Sequence, residues 1–232
     1  MRSFSIVVAA DLANGIGLRG GLPWRLRKDM AFFARITSKV VQQESSLQQQ
    51  ASSNPINACI MGRLTWESIP SKFRPLTSRF NIIVSRNPHY LDDKPEKDNP
   101  LVALAPSLDA ALDLVASMQK PTTSTATAAA AITASGTPAL QIERVFLIGG
   151  AQLYNEGIQS QHCQHIFLTR IQSTVECDTF FPEIRPQDYR LLPGPESHAF
   201  LEAYLQEPVE AGWIREGEFE FEYTVYDRVV VV

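Results

Sequence analysis

The 232-residue sequence predicts a three-layer α/β fold, with a predominantly parallel central sheet and an antiparallel C-terminal edge. Three observations carry that expectation. Short runs of β-branched and small apolar residues alternate with segments of helical period. Several of those runs end in glycine- or arginine-bearing turns just ahead of a helix. The last run, residues 219–230, alternates polar and apolar positions as a half-solvated antiparallel strand does.

Residues 3–10 form a continuous small and β-branched stretch, read as a buried first strand. Residues 11–21 hold four glycines and read as a mobile loop. Leu26, Met30, Phe33 and Ile36 recur at helical spacing, which predicts a helix over 26–38 with Asp29 on nearly the same face. Strands follow at 57–61, 80–85, 101–105, 144–148 and 164–171, and short helices at 65–69, 107–118 and 151–158. Ser107 has the chemistry of an N-cap. The final strand is expected to pair with a segment near 189–192. The whole chain, 1–232, reads as a single domain. It carries two surface insertions: a Gln/Ser-rich one at 41–55 and a Thr/Ala-rich one at 121–138.

The formal net charge of −4 supplies no general basic field, which argues against a nucleic-acid-binding surface. Cys59, Cys163 and Cys177 match no metal or redox spacing and read as free thiols of a reducing compartment. The N-terminus lacks the pattern of a secretory signal, and no run is long and apolar enough to span a membrane. The four histidines, at 89, 162, 165 and 198, lack metal spacing and read as surface or loop residues, so no metal site is expected.

In open α/β sheets ligands bind beyond the carboxyl ends of the strands, and the chemically interesting residues cluster there. "VFLIGGAQLY" runs a strand into Gly149 and Gly150 and then a helix start. Phosphate binding and a plain tight turn both remain open for it. "MGRLTW" repeats the design with Gly62, Arg63 and Thr65, and "VSRN" adds Ser85 and Arg86 at another strand end. Two arginines and two glycine-rich strand ends suggest a ligand with several phosphates. For Asp29, pattern alone favours a helix acid turned to solvent, because a carboxylate facing an apolar cleft bears a desolvation cost.

Together these motifs resemble the dihydrofolate reductase family, and the insertions resemble those of its fungal members. The residues that carry the resemblance are "VVAADLANGIGLRGGLPW", "LRKDMAFFARIT", "IMGRLTWESIP", "RPLTSR", "IIVSR", "FLIGGAQLY", "IFLTRI" and "CDTFFP", in family order along nearly the whole chain. The resemblance implies a dihydrofolate reductase-like fold and NADPH-dependent reduction of dihydrofolate to tetrahydrofolate, in the cytoplasm, for one-carbon metabolism and thymidylate synthesis. It also implies a monomer that binds antifolate inhibitors.

Residue by residue, the resemblance implies that Asp29 hydrogen-bonds the pterin and supports protonation at N5. Trp24 would hold a nearby water, and Thr169 would bond to the acid. Val7 and Ile148 would offer carbonyls and Phe33 would stack on the pterin. Ile69 and Leu76 would line the benzoyl region, and Arg79 would pair with the folate α-carboxylate. On the cofactor side it implies Ala9, Ile16, Gly62, Arg63 and Thr65. There too belong Ser85 and Arg86 at the 2′-phosphate, and the run Gly149, Gly150, Ala151, Gln152, Leu153 and Tyr154. Leu64 departs from the basic residue many members carry beside Arg63, which weakens one phosphate contact. Two other readings stand beside this one: a pyrimidine reductase of the riboflavin pathway on the same fold, and a non-catalytic nucleotide-binding module.

Overall fold

The structure, a computed structural model, describes residues 2–40, 55–118 and 140–229. Both predicted insertions lie outside the described residues, apart from Pro55. In chain order the elements are β1 (Phe4–Ala10), β2 (Gly15–Gly17), α1 (Arg27–Ser38), β3 (Ile56–Gly62), α2 (Arg63–Ser68), a 3-10 turn (Ser71–Phe73), β4 (Arg79–Val84), β5 (Val102–Ala105), α3 (Leu108–Ser117), β6 (Ile142–Leu147), α4 (Ala151–Gln159), β7 (Cys163–Ile171), β8 (Thr179–Phe180), β9 (Tyr189–Leu191), α5 (Gly194–Leu205), β10 (Ile214–Glu216) and β11 (Phe219–Arg228).

The main sheet runs β10-β11-β7-β1-β6-β3-β4-β5, and β9 pairs with β11. From β7 to β5 every pairing is parallel. β11 is antiparallel to β7, β9 and β10. This is the expected sheet with its antiparallel C-terminal edge, including the pairing near 189–192.

Strand geometry explains the two covering layers. Successive side chains of β1 point to opposite faces. Phe4, Ile6, Val8 and Ala10 enter one apolar cluster, where Leu108, Ala111, Leu112 and Val115 of α3 and Leu153, Tyr154 and Ile158 of α4 meet them. Val7 enters the opposite cluster, with Phe32 and Ile36 of α1, Trp66 of α2, and Leu201 and Leu205 of α5. Ser107 caps α3 as its chemistry suggests, accepting the Ala110 amide at 3.2 Å.

Several elements differ from expectation. The buried side of α1 carries Asp29, Phe32, Ile36 and Thr37. Met30, expected inside, is 49% exposed, because the helix is rotated so that its acid faces in. Residues 11–21 are not wholly loop, since β2 pairs with β8. Helix α5 went unforeseen because its buried positions, Ser197, Leu201 and Leu205, recur every four residues behind an opening Gly-Pro. His165 is no surface residue: it sits in β7, half-buried, with Nδ1 3.2 Å from the Asp227 carboxylate.

The Ser107 cap gives a clean test of local against tertiary contributions. Ser107→Ala should lower unfolding stability by about 1 kcal/mol and Ser107→Gly by only a few tenths. Urea midpoints at unchanged m-value would read the difference; no loss in either variant would show that the cap bond contributes nothing.

Candidate active site

The carboxyl ends of β1, β3, β6 and β7 lie side by side, because those strands are parallel neighbours. In register, Ala9 of β1 stands beside Thr169 of β7. Helix α1 brings Asp29 to that end of the sheet. Asp29 is 6% exposed, and its Oδ1 accepts the Thr169 hydroxyl proton at 2.7 Å. Burial pushes the Asp29 pKa up to about 6, the Thr169 bond opposes that rise, and the nearby Glu216 charge adds to it. Asp29 is thus a buried acid that keeps its proton to higher pH than an ordinary aspartate, which removes the solvent-turned reading. Trp24, also buried, packs with Leu26, Ile171 and Phe221, and its indole N–H has no hydrogen-bond partner among the described residues.

The other end of α1 carries a cation. Arg79, at the start of β4, is 6% exposed. Nη1 donates to the Thr37 hydroxyl at 2.8 Å and Nε to the Thr77 carbonyl at 2.9 Å, both neutral acceptors. No carboxylate lies within ion-pair distance of it among the described residues, and burial pushes its pKa down. The nearby Cys59 thiol supplies no counter-charge, since burial lifts it to about 12. Asn81 fixes the backbone around Arg79: Nδ2 donates to the carbonyls of Leu76 and Arg79, and Oδ1 accepts the Leu76 amide. The sequence reading missed Thr37 and Asn81; no local pattern marks a threonine or asparagine as the support of a residue elsewhere.

Between these ends lie apolar residues. Phe33 is half-buried with the Arg79 guanidinium 6.0 Å from its ring centre. Phe33 and Ile69 pack against the same buried cluster that holds Val7, Leu76 and Ile148. The Val7 carbonyl accepts the Tyr154 hydroxyl at 2.9 Å, tying α4 to β1.

A second group of residues gathers at the ends of β3, β4 and β6. Helices α2 and α4 begin at Gly62 and Gly150 without side-chain caps, so their first amides retain donor capacity. The two starts are close. A Cβ on Gly149 would lie 3.1 Å from Thr65 Oγ1 and 3.4 Å from the Tyr154 hydroxyl, and its φ of +125° disfavours any side chain. Leu153 is buried, Ala151 and Ile16 half-buried, and Gln152 exposed. Arg63 is exposed and paired with Glu67 at 2.9 Å. Arg86 is exposed beside half-buried Ser85, whose Oγ accepts the Asn87 amide. Leu64 is 70% exposed and offers this region no charge. Among the described residues, no His, Cys, Asp and Glu group is placed to hold a metal ion, and no helix is long and apolar enough to cross a membrane.

Comparison with known proteins selects among the readings left open by sequence. The family model for dihydrofolate reductase matches residues 45–199. The dihydrofolate reductase of Pneumocystis carinii is 33% identical over 228 residues, covering 98% of this chain and 97% of that one. That of Candida albicans is 34% identical over 227 residues, with coverage of 96% and 95%. The solved structure of Schistosoma mansoni dihydrofolate reductase matches with a TM-score of 0.64 at 32% identity, covering 97% of this chain and 98% of that one. With identity above 30% along nearly its full length and a fold to match, the chain belongs to the dihydrofolate reductase family, enzymes that reduce dihydrofolate to tetrahydrofolate.

Proposed function

We propose that the chain reduces 7,8-dihydrofolate with NADPH, binding the pterin at Asp29 and the folate α-carboxylate at Arg79. The observation that carries this reading is the buried Asp29 carboxyl group, bonded to Thr169 and holding its proton up to about pH 6. A group in that state can share hydrogen bonds with the pterin amino group and N3 and support protonation at N5. Trp24 offers its unpaired indole N–H to a water beside that chemistry. Phe33 stacks on the pterin, Ile69 and Leu76 enclose the benzoyl ring, and the carbonyls of Val7 and Ile148 face the ring substituents.

The uncapped starts of α2 and α4, with Thr65 and the Gly149–Gly150 turn, fit a dinucleotide pyrophosphate. Ser85 and Arg86 fit a 2′-phosphate, which favours NADPH over NADH despite the neutral Leu64. When bound, the reduced nicotinamide supplies the hydride that reaches pterin C6. The chain's own work is to align the two rings with Ala9, Ile16 and Tyr154 and to exclude water with the 11–24 loop. We read residues 1–232 as a single domain that acts as a monomer in the cytoplasm, is open to antifolate inhibitors, and supplies one-carbon metabolism and thymidylate synthesis.

Steady-state oxidation of NADPH with dihydrofolate, run beside NADH, tests the reaction. The catalytic rate should fall as pH rises through about 6, since the protonated Asp29 form is then lost. Asp29→Asn should lower that rate by roughly 10²- to 10⁴-fold, with cofactor affinity little changed; full activity in this variant would sink the assignment. Arg79→Ala should raise the KM for dihydrofolate roughly 30-fold or more while leaving kcat much less affected. An unchanged KM would remove the carboxylate contact.

The same acid makes a stability prediction of definite sign. Its folded pKa, about 6, lies above the ordinary value of 3.8. The group therefore costs nothing below about pH 4, and the fold loses stability as pH rises through about 6. The full loss is roughly 3 kcal/mol. Asp29→Asn escapes it, so the stability difference in its favour should grow between pH 4 and pH 8. A difference that stays constant with pH would show that the carboxyl group is not desolvated.

A further inference from the structure

Helix α1 begins without a cap of its own. Its N-cap position is Leu26, whose side chain is buried and has no acceptor, and no side-chain cap bond forms there. The first helical amides are served instead from the far end of the chain. Glu216, the last residue of β10, accepts the Arg27 amide through Oε1 at 2.7 Å and the Lys28 amide through Oε2 at 2.9 Å. A second contact comes from the adjoining strand, where the Tyr223 hydroxyl of β11 donates to the Lys28 carbonyl at 3.2 Å. The peptide groups on both sides of Lys28 are thus held by the β10–β11 hairpin, and Asp29 is the next residue.

We propose that Glu216 is a positioning residue for Asp29: its carboxylate, bound across the first two amides of α1, fixes the helix start that carries the acid and makes that site more negative. The inference rests on the reading of Asp29 given above.

The hairpin that carries Glu216 also reaches this helix start through Tyr223. Tyr223 stands opposite Thr169 in the β11–β7 register, and Thr169 is the residue bonded to Asp29. Tyr223 also stacks on Phe32 of α1, with ring centres 3.9 Å apart. The hairpin therefore grips the backbone of the helix start while β7 grips the carboxyl group. The amides at a helix start carry partial positive charge, which favours an ionised carboxyl within the first turn. Glu216 occupies those amides and brings a full negative charge, so it counters that effect and favours the protonated acid. Glu216 itself stays ionised, held below the usual carboxylate range by the two amide bonds and by the cationic Arg27 and Lys28.

The groups facing Asp29 are Thr169 from β7, Tyr223 from β11 and Glu216 from β10. On α1 itself Arg27 and Lys28 are adjacent, and Lys28 is partly neutralised by Glu210 at 2.9 Å. Among these, Glu216 supplies negative charge without being buried beside the pterin, so its charge can be removed without emptying the pocket.

The experiment is the pH profile of the single-turnover reduction step in Glu216→Gln, which keeps an acceptor and loses the charge. The exposed hairpin neighbour varied in Glu218→Gln serves as the control. The midpoint should move to lower pH by roughly 0.2–0.7 unit in Glu216→Gln and stay in place in Glu218→Gln. A lower unfolding temperature with a superimposable profile would overturn the inference, leaving Glu216 an ordinary helix cap. So would an equal shift in both variants. Should Glu216→Gln not fold, Glu216→Asp reads the same quantity, because it keeps the charge but withdraws it by one methylene. A lowered midpoint supports the proposal there, and an unchanged one overturns it. Asp29→Asn separates this outcome from a failure of the larger reading: a profile that persists without Asp29 rejects the role of the acid itself, whereas a profile that vanishes there but ignores Glu216 rejects only the positioning role.

Discussion

The hydrogen bond from Thr169 to Asp29 joins the first helix to the centre of the sheet at the carboxyl ends of its parallel strands. A carboxyl group in that place is unfavourable to the fold when ionised, because water has been removed from around it. One hydroxyl donor offsets only part of that loss, and the pKa settles near 6 rather than at an ordinary aspartate value. A richer set of donors would have stabilised the charged form and cost the site its proton. The single threonine is therefore a compromise: enough bonding to fix the carboxyl group in one orientation, too little to return its pKa to the ordinary aspartate range. The surrounding structure then has to hold α1 in place by other means, since its inward acid contributes no apolar burial.

The two buried charges explain each other's isolation. Asp29 lies in the first turn of α1, and Thr37, which holds Arg79, lies eight residues on. At 1.5 Å of rise per residue the acid and the threonine that holds the cation are separated by roughly 12 Å along the helix. Asp29 and Arg79 form no ion pair, and among the described residues Arg79 hydrogen-bonds only to neutral acceptors. Joining them would have made a more stable fold and a useless site. Held apart, with Phe33 between them, they suit a ligand that presents a basic ring system at one end and a carboxylate at the other. The buried charge that destabilises the free protein is recovered when such a ligand binds.

The parallel strands were legible in the sequence because most are buried on both faces and so read as largely apolar runs, several of them ending in a glycine or arginine turn. Ser107 was legible because capping is local chemistry. Asp29 was not legible by period: Met30 outcompeted it as an inward residue on hydrophobicity, and what turns the helix is its packing through Phe32 and Ile36. The family resemblance supplied its burial, along with the partnership of Thr169, 140 residues away. Glu216 and Asn81 escaped both routes. Each acts on backbone groups of a distant or folded-back segment, and an acceptor's targets leave no trace in the pattern around it. Short strands such as β2, β8 and β10 escaped for a related reason, since two or three residues carry too little alternation to register.

The loop between β1 and α1 shows how order at one end can coexist with freedom at the other. Asp11, fully buried at its base, accepts the amides of Ala13 and Gly15 through Oδ1 and that of Val175 through Oδ2. Its own carbonyl takes the Arg170 guanidinium at 2.6 Å. Gly15 is packed so closely on Cys177 that an added Cβ would come within 2.4 Å of the sulfur. Beyond this knot the connections thin out. Leu18 and Gly21 close a small turn on each other, and the Arg19 amide reaches the exposed Asp178 carboxylate. Arg19, Gly20 and Gly21 are exposed, and Gly20 adopts a positive φ where an added side chain would meet nothing. Local opening free energy follows the density of such contacts, so opening is easiest at the tip, while the base stays tied to Arg170 and Val175. A loop built this way can open at its tip without disturbing the buried contacts of its base.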